Sequence, residues 1–165
     1  MVLFILHPLL LVLSALVYPA SSDNYAQGNQ LLKQQDYRGA VTLYQAALQH
    51  QPSHWQSYVN MGEALMRLNV LDAAEASYRT ALLHQPRWSA LYSNLAIVLS
   101  RRGGKDNLNA ALGFHKTAVN IAPADPSANF NLGTALGKAD RWKEALPHLQ
   151  LGYVSTDLSM KDKVV

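Results

Sequence analysis

The chain repeats itself every 34 residues from about residue 21 onward, and this period constrains its fold more than any other feature. Small, aromatic and proline residues recur together at that step, and in the third unit the step lengthens to 37, which places three extra residues within 101–106. A fixed period of this size indicates stacked helical or β units that bury a core only against their neighbours. The matching pairs across the first two units are Gly28/Gly62, Ala40/Ala74, Tyr44/Tyr78, Ala47/Ala81 and Pro52/Pro86.

The residue types within each unit predict two antiparallel helices. The recurring small residues allow two helices to approach closely, and a proline near the end of each of the first three units stops the second helix. Two helix starts carry their own signals, a capping box at Ser53–Gln56 and Asp125 before Pro126. Pro147 lies inside the last helix and predicts a kink or a late start there. The eight predicted helices span about 23–34, 37–50, 54–68, 71–84, 88–102, 107–121, 126–139 and 141–153.

On these residues the chain resembles the tetratricopeptide repeat family. The resemblance implies an all-α fold, an α-solenoid of four helix–turn–helix repeats at about 21–54, 55–88, 89–125 and 126–154. It places the repeat domain at 23–154 and a tail at 155–165. Repeat positions are counted from residues 21, 55, 89 and 126, and the three extra residues of the third repeat are left out of the count. The family's aromatic residue at position 24 is present as Tyr44 and Tyr78, but the third and fourth repeats have His115 and Leu149 there. The family's small residues are Gly28, Gly62, Ala96 and Gly133 at position 8, Ala40, Ala74, Ala111 and Ala145 at position 20, and Ala47, Ala81, Ala118 and Gly152 at position 27.

Residues 1–18 are almost entirely apolar, and the first charged side chain is Asp23. This stretch predicts an N-terminal hydrophobic helix, for which two alternatives stay open. Ala20 and Ser22 form a small-residue pattern that favours a signal peptide over 1–22, whereas the length of the apolar run favours an uncleaved membrane anchor through residues 1–18. Both alternatives predict the secretory pathway, as a lumenal or secreted protein, or attachment to a membrane on a side that the sequence leaves open.

The sequence contains no constellation that would make the chain an enzyme. It has no cysteine, which excludes disulfides and thiolate metal sites, and its net charge of +3 is too small to indicate nucleic acid binding. His50 and His54 have a metal-like spacing, but Pro52 breaks the helix that would align them. We therefore expect no catalytic residue, no metal and no cofactor.

The inner faces of the first helices are the remaining candidate for function. Two repeat positions carry one residue type in nearly every unit, asparagine at position 6 and a cation at position 13. Stacked units would turn these into an asparagine ladder and a basic column along a concave groove, where the amides could hold the backbone of a peptide or protein partner. The predicted peptide-binding residues are Asn60, Asn94 and Asn131 at position 6, Asn29 at position 9 of the first repeat, and Lys33, Arg67, Arg101 and Lys138 at position 13.

The resemblance allows one known mode of binding to be tested by residue. Some co-chaperones of this family grip acidic chaperone tails with a clamp of asparagines and cations. Here the asparagines Asn29 and Asn60 are present, but the cation positions hold Tyr25, Ala90 and Asn94. A carboxylate held there would lose its water without gaining a cation, so we expect no binding of chaperone tails by this clamp.

The pattern also resembles the repeat regions of two kinds of glycosyltransferase. The asparagine ladder is similar to the repeats of O-linked N-acetylglucosamine transferase, and an apolar segment before repeats is similar to membrane-bound O-mannosyltransferases. The main hypothesis is a non-catalytic adaptor that binds a peptide or protein segment in its groove, and the alternative is a truncated or accessory repeat region of such a glycosyltransferase.

Only residues 155–165 follow the fourth repeat, so little sequence is left to cover its apolar face. This predicts a partly open C-terminal end, which a longer parent protein, a partner or self-association would cover.

Overall fold

The structure is a computed structural model that describes the backbone of residues 21–161 and the side chains of residues 23–153. Within this range the chain is helical and contains no strand, as the repeat predicts. The apolar segment predicted at 1–18 lies outside the described residues. The helices are α1 Ser21–Lys33, α2 Tyr37–His50, α3 Trp55–Arg67, α4 Leu71–His84, α5 Ser89–Arg102, α6 Lys105–Ile121, α7 Pro126–Lys138 and α8 Trp142–Lys161.

None of the described helices is both long enough and apolar enough to cross a lipid bilayer.

The helices form two compact units, one ending at Val70 and the other beginning at Leu71. In the first unit α2 packs on α1 and on α3, and α1 also contacts α3. In the second unit each helix from α4 to α8 packs on the next, and α5 also contacts α7. Within each unit, packing therefore joins helices that are adjacent or next-but-one in the chain, which is the arrangement that stacked repeats require.

The small residues of the repeat lie at contacts between helices, as the sequence predicts. A Cβ added to Gly28 would lie 2.7 Å from the ring of Tyr44, so α1 and α2 can approach this closely only with glycine at that position. The alanines at positions 20 and 27 are at most 2% exposed: Ala40, Ala47, Ala74, Ala81, Ala111, Ala118 and Ala145. Close helix packing thus accounts for the strongest part of the repeat pattern.

The three extra residues of the third repeat lengthen a helix and do not form a longer turn. Gly103 and Gly104 are the whole connection between α5 and α6, and both have positive φ, 73° and 82°. With ψ of −173° and 149° they occupy a region of backbone space that only glycine enters readily. Because α6 begins at Lys105 and not near residue 107, it has 17 residues where α2 and α4 have 14, about one additional turn.

The helix ends confirm one predicted cap and correct another. Asp125 accepts a hydrogen bond at Oδ1 from the backbone N–H of Ser127 at 2.9 Å, so the predicted cap before Pro126 is present. The predicted capping box at Ser53 is wrong, because His54 is the N-cap of α3 and makes no side-chain cap bond. Its Nδ1 lies 2.8 Å from the hydroxyl of Ser57.

The last helix agrees with the predicted start near residue 141 and differs from the predicted end. α8 begins at Trp142 and includes Pro147, so the proline does not delay the start. The helix continues to Lys161 instead of ending near residue 153.

A cluster of charged side chains joins α4, α5 and the α6 aromatic Phe114. Arg102 pairs with Asp72 and places Nη1 2.8 Å from Oε2 of Glu75, and Arg79 places Nε 2.8 Å from Oε1 of the same carboxylate. The Arg79 guanidinium also lies 5.8 Å from the centre of the Phe114 ring. Burial alone would raise the pKa of Glu75, but the hydrogen bonds from Arg79 and Arg102 outweigh it and lower the pKa. The cluster therefore needs an ionised Glu75.

Replacing Arg102 by methionine should lower the free energy of unfolding by about 1 kcal/mol, because Glu75 is mostly buried and would lose one of its two cations. Arg87 is an exposed arginine, and the control Arg87→Met should change the free energy of unfolding by less than about 0.5 kcal/mol.

The effect of Arg102→Met should also depend on pH. Since the pKa of Glu75 is lowered on folding, the contribution of Glu75 to stability is present above its ordinary pKa of 4.5 and is lost as the pH falls below that value. Urea unfolding at pH 7 and pH 3.5 measures both effects. An Arg102→Met effect that is equally large at pH 3.5 would contradict the role of the ionised carboxylate.

Candidate functional site

Two of the predicted binding asparagines meet in the first unit. Asn60 on α3 donates from Nδ2 to Oδ1 of Asn29 on α1 at 2.7 Å, and to the hydroxyl of Tyr25 at 3.3 Å. The buried hydroxyl of Tyr44 donates to the same Asn29 oxygen at 2.8 Å. Burial raises the pKa of Tyr44 to about 12, so this hydroxyl keeps its proton and acts as a donor. The four side chains form a closed network in which both N–H groups of the Asn60 amide are already used.

The other predicted residues of the first unit lie apart from this network. Lys33 and Arg67 are exposed in the last turns of α1 and α3, where their charge complements the helix dipole. Arg67 also lies 3.9 Å from the carboxylate of Glu63, one turn earlier on the same helix. Nothing about these two cations distinguishes a ligand contact from an ordinary helix end, and their predicted role in binding stays a prediction.

In the second unit, three predicted residues line one cleft. This α5–α7 cleft has a volume of about 240 Å³ and is formed by α5, α6 and α7. Arg101, Asn131 and Lys138 line it together with two hydroxyls, three apolar side chains and a histidine. The additional lining residues are Ile97, Ser100, His115, Phe130, Thr134 and Ala135.

Helical spacing explains why the repeat positions converge on this cleft. On α5, Asn94 lies three residues before Ile97, which lies four before Arg101, and residues at these intervals share one face of a helix. Asn131 and Lys138 on α7 occupy the corresponding repeat positions, 6 and 13. Asn94 is half-buried on this face of α5, one turn before the cleft. Because α5 contacts α7, the predicted asparagine and cation positions of the third and fourth repeats lie on neighbouring helices.

His115 is the functional candidate that the sequence reasoning missed. It is 4% exposed, and its Nδ1 has no hydrogen-bond partner among the residues that the structure describes. Burial lowers the pKa of His115 to about 4, so the imidazole is neutral near pH 7. Native proteins rarely leave a buried polar nitrogen without a partner, because its lost contact with water then goes uncompensated.

Comparison with the first unit shows why the His115 nitrogen is unpartnered. His115 occupies repeat position 24, as Tyr44 does, and the Tyr44 hydroxyl is satisfied by Asn29 at position 9. In the third repeat position 9 is Ile97, whose side chain cannot accept or donate a hydrogen bond. The sequence therefore does contain a sign of this site: in the third repeat, positions 9 and 24 hold Ile97 and His115 in place of the Asn29 and Tyr44 of the first repeat. That double change indicates an unpartnered nitrogen only once the side chains at the two positions are known to be in contact.

The chemistry of the cleft is that of a binding surface. Among the described residues that line it, none is a carboxylate, and the two charged groups are both cations. Phe130 is 44% exposed and supplies an apolar wall, supported by an edge-on contact with the ring of Tyr153 at 6.1 Å. In residues 23–153, no three histidine, aspartate or glutamate side chains are grouped closely enough to hold a metal ion. The cleft thus combines cations, amide and hydroxyl groups and apolar side chains without a nucleophile paired to a base.

Comparison with known proteins gives one family and a set of similar folds. Residues 25–94 match the tetratricopeptide repeat family, and no curated protein sequence is significantly similar to the chain. A crystal structure of MamA is similar at 15% identity and a TM-score of 0.77, covering 91% of this chain and 85% of that one. MamA from Desulfovibrio magneticus RS-1, residue 41 to the end, has 21% identity and a TM-score of 0.71, covering 79% and 72%.

A third similar structure is TTC0263, a thermophilic tetratricopeptide-repeat protein of Thermus thermophilus. It has 20% identity and a TM-score of 0.71, and the match covers 82% of this chain and 74% of that one. At these identities the likeness establishes the fold alone. None of these matches indicates a catalytic family. The 34-residue period, the family match and the helical packing lead to one conclusion: residues 25–94 match the tetratricopeptide repeat family, and the described helices share the fold of a tetratricopeptide-repeat protein.

Proposed function

We propose that the chain is a non-catalytic binding module that holds an extended segment of a partner protein against α5 and α7. The observation that supports this most is the α5–α7 cleft, where three side chains selected by repeat position line one opening beside the exposed ring of Phe130. Tetratricopeptide-repeat folds are consistent with protein interaction, and this cleft adds a defined surface for it.

Asparagine suits a surface that must hold a backbone. Its amide offers two donors and one acceptor oxygen, which match the carbonyl and N–H of a peptide whatever side chains that peptide carries. The amide of Asn131 makes no hydrogen bond to another described side chain, whereas both donors of Asn60 are used within the first unit. We therefore expect the partner segment to contact Asn94 and Asn131 on α5 and α7 before it contacts the α1–α3 face.

A photo-crosslinking group in place of Thr134 tests this surface in the full chain. Benzoylphenylalanine at position 134 should crosslink a partner when cells that make the chain are irradiated, because Thr134 lines the cleft. The same group in place of Lys143, an exposed residue of α8 outside the cleft, is the matched control and should give little product. Adding Asn94→Ala with Asn131→Ala should lower the yield at position 134 roughly tenfold, the equivalent of one to two lost hydrogen bonds.

Circular dichroism checks that the double variant stays helical, since both asparagines are only half-buried. Equal crosslinking from positions 134 and 143 would place the binding surface elsewhere. An unchanged yield in the folded double variant would remove the asparagines from the binding surface.

A further inference from the structure

We propose that a second pocket, beside the additional turn of α6, binds a small amphipathic anion that has a negatively charged head group and an apolar tail. This α6 pocket has a volume of about 430 Å³, within the range of roughly 300–1,000 Å³ typical of small-molecule sites. The proposal does not depend on the binding of a partner segment in the α5–α7 cleft. The larger side chains that line the α6 pocket are Lys105, Leu108, Asn109 and Leu112 of α6 and Lys138 of α7.

The pocket lies where the third repeat differs from the first two. The helices α2 and α4 begin at repeat position 17, which is Leu108 in α6, so residues 105–107 form the additional turn that those two helices lack. Lys105 is the first residue of that turn and lines the pocket. Because the helix dipole disfavours a cation at the start of a helix, helix stability does not account for a lysine at this place. The additional turn thus gives the pocket a positive charge that the repeat pattern does not supply.

The charge of the pocket favours an anionic head group. Lys105 and Lys138 both line it, no carboxylate does, and neither lysine forms an ion pair with another side chain in residues 23–153. Asp106 and Asp140 are neighbours in sequence of lining residues, but both are exposed and lie outside the lining. An anion would therefore gain charge-assisted hydrogen bonds, the stronger class, whereas an ammonium group would meet two like charges.

The rest of the lining favours an apolar tail. Leu108 and Leu112 lie four residues apart and so share one face of α6, and both line the pocket. The side chains from α7 and its C-cap, Ala135 and Ala139, are small and leave room for a ligand. Leu108 is 50% exposed, so a tail that covers it removes apolar surface from water. An inorganic anion would leave this surface uncovered, and the lining therefore fits an amphiphile better.

Calorimetric titration of the full chain with four probes tests the proposal. The probes share an eight-carbon tail and differ only in the head group: octanoate, octyl phosphate, octanol and octylammonium. The two anions should bind roughly tenfold more tightly than octanol, the equivalent of one charge-assisted hydrogen bond, and octylammonium should bind least. Tighter binding of octanoate would support a carboxylate as the head group, and tighter binding of octyl phosphate would support a phosphate.

Substitutions on α6 show where the probes bind. Lys105 lines the α6 pocket but not the α5–α7 cleft, and Lys105→Gln should weaken the binding of both anions roughly five- to tenfold while leaving octanol unchanged. Leu108→Ser should weaken all four probes, since they share one tail. The matched control is Lys116→Gln, which removes the same charge from an exposed site of α6 outside the pocket and should leave every affinity unchanged. All three sites are exposed, and circular dichroism checks that the variants stay helical.

Three outcomes would overturn the proposal. Equal affinity of the wild type for octanol and the anions would mean that the pocket does not select charge. Anion binding that survives Lys105→Gln unchanged would place the ligand outside the α6 pocket. A lack of measurable binding of all four probes would remove the pocket as a ligand site. None of these results would bear on the partner segment, which crosslinking from position 134 tests separately.

Discussion

Lowering the pH from 7 to 5 should cost the folded chain roughly 2 kcal/mol through His115 alone. In the unfolded chain this histidine takes up a proton near its ordinary pKa of 6.5, whereas burial lowers the pKa of the folded-state imidazole to about 4. Between these values protonation favours the unfolded chain, so the stability is fully present above pH 6.5 and is lost as the pH falls toward 4. The cause is the burial of a base whose charged form has no compensating partner.

Urea unfolding of the wild type and of His115→Phe at pH 7, 6 and 5 measures this effect. The variant keeps an aromatic ring at position 24 and should be at least as stable as the wild type at pH 7. Its advantage should grow by the same roughly 2 kcal/mol at pH 5, since acid effects common to both proteins cancel. His84→Gln, at an exposed site, is the control and should follow the wild type. A His115→Phe variant with the wild-type pH dependence would show that His115 is not buried in its neutral form.

The same substitution, glycine to alanine, should have opposite effects at two helical positions of the second unit. A Cβ on Gly152 of α8 would lie 2.8 Å from Cβ, 2.9 Å from Cα and 3.0 Å from the backbone nitrogen of Phe130 on α7. Two of these atoms are backbone, so α7 and α8 would have to separate, and we expect a loss of about 1–3 kcal/mol. A Cβ on Gly113 of α6 would meet nothing within 4 Å, so Gly113→Ala should gain the helix propensity of alanine, about 0.5–1 kcal/mol.

Thermal or urea unfolding of the two single variants at pH 7 decides the point. Because the two variants share the same chemical change and both sites are helical, the difference between them isolates the packing of α7 on α8. Stabilisation by Gly152→Ala would mean that these helices can separate at little cost, and that the small residue at repeat position 27 is not required for packing.

The helices were predictable because the repeat encodes them twice, through small residues at helix contacts and through prolines at helix ends. The errors fall where one signal has two structural solutions. The three extra residues before Ala111 could either enlarge a turn or lengthen a helix. Because Gly103 and Gly104 can form a turn of only two residues, the extra residues become part of α6. Likewise, Ser53 has the residue type of an N-cap, but His54 occupies that place in the structure.

The candidate site was predictable in part, and the reason is geometric. Repeat positions 6 and 13 identified Asn131, Arg101 and Lys138, because residues at equal positions on packed helices must lie near each other. His115 could not be identified in the same way, because its significance depends on which side chain faces it across the repeat. Only the contact of Tyr44 with Asn29 shows that Ile97 leaves the corresponding nitrogen without a partner.

Packing between neighbouring helices also bears on how such a chain acquires its structure. Within each unit the main contacts between the described helices join segments that are adjacent or next-but-one in sequence, so no long loop must close before these contacts begin to form. Chains with this local topology are the fast folders among single domains, typically completing the reaction in microseconds to milliseconds. During synthesis α1 and α2 can pair while the residues of α5 have yet to leave the ribosome, which shortens the time that apolar helix faces are open to aggregation.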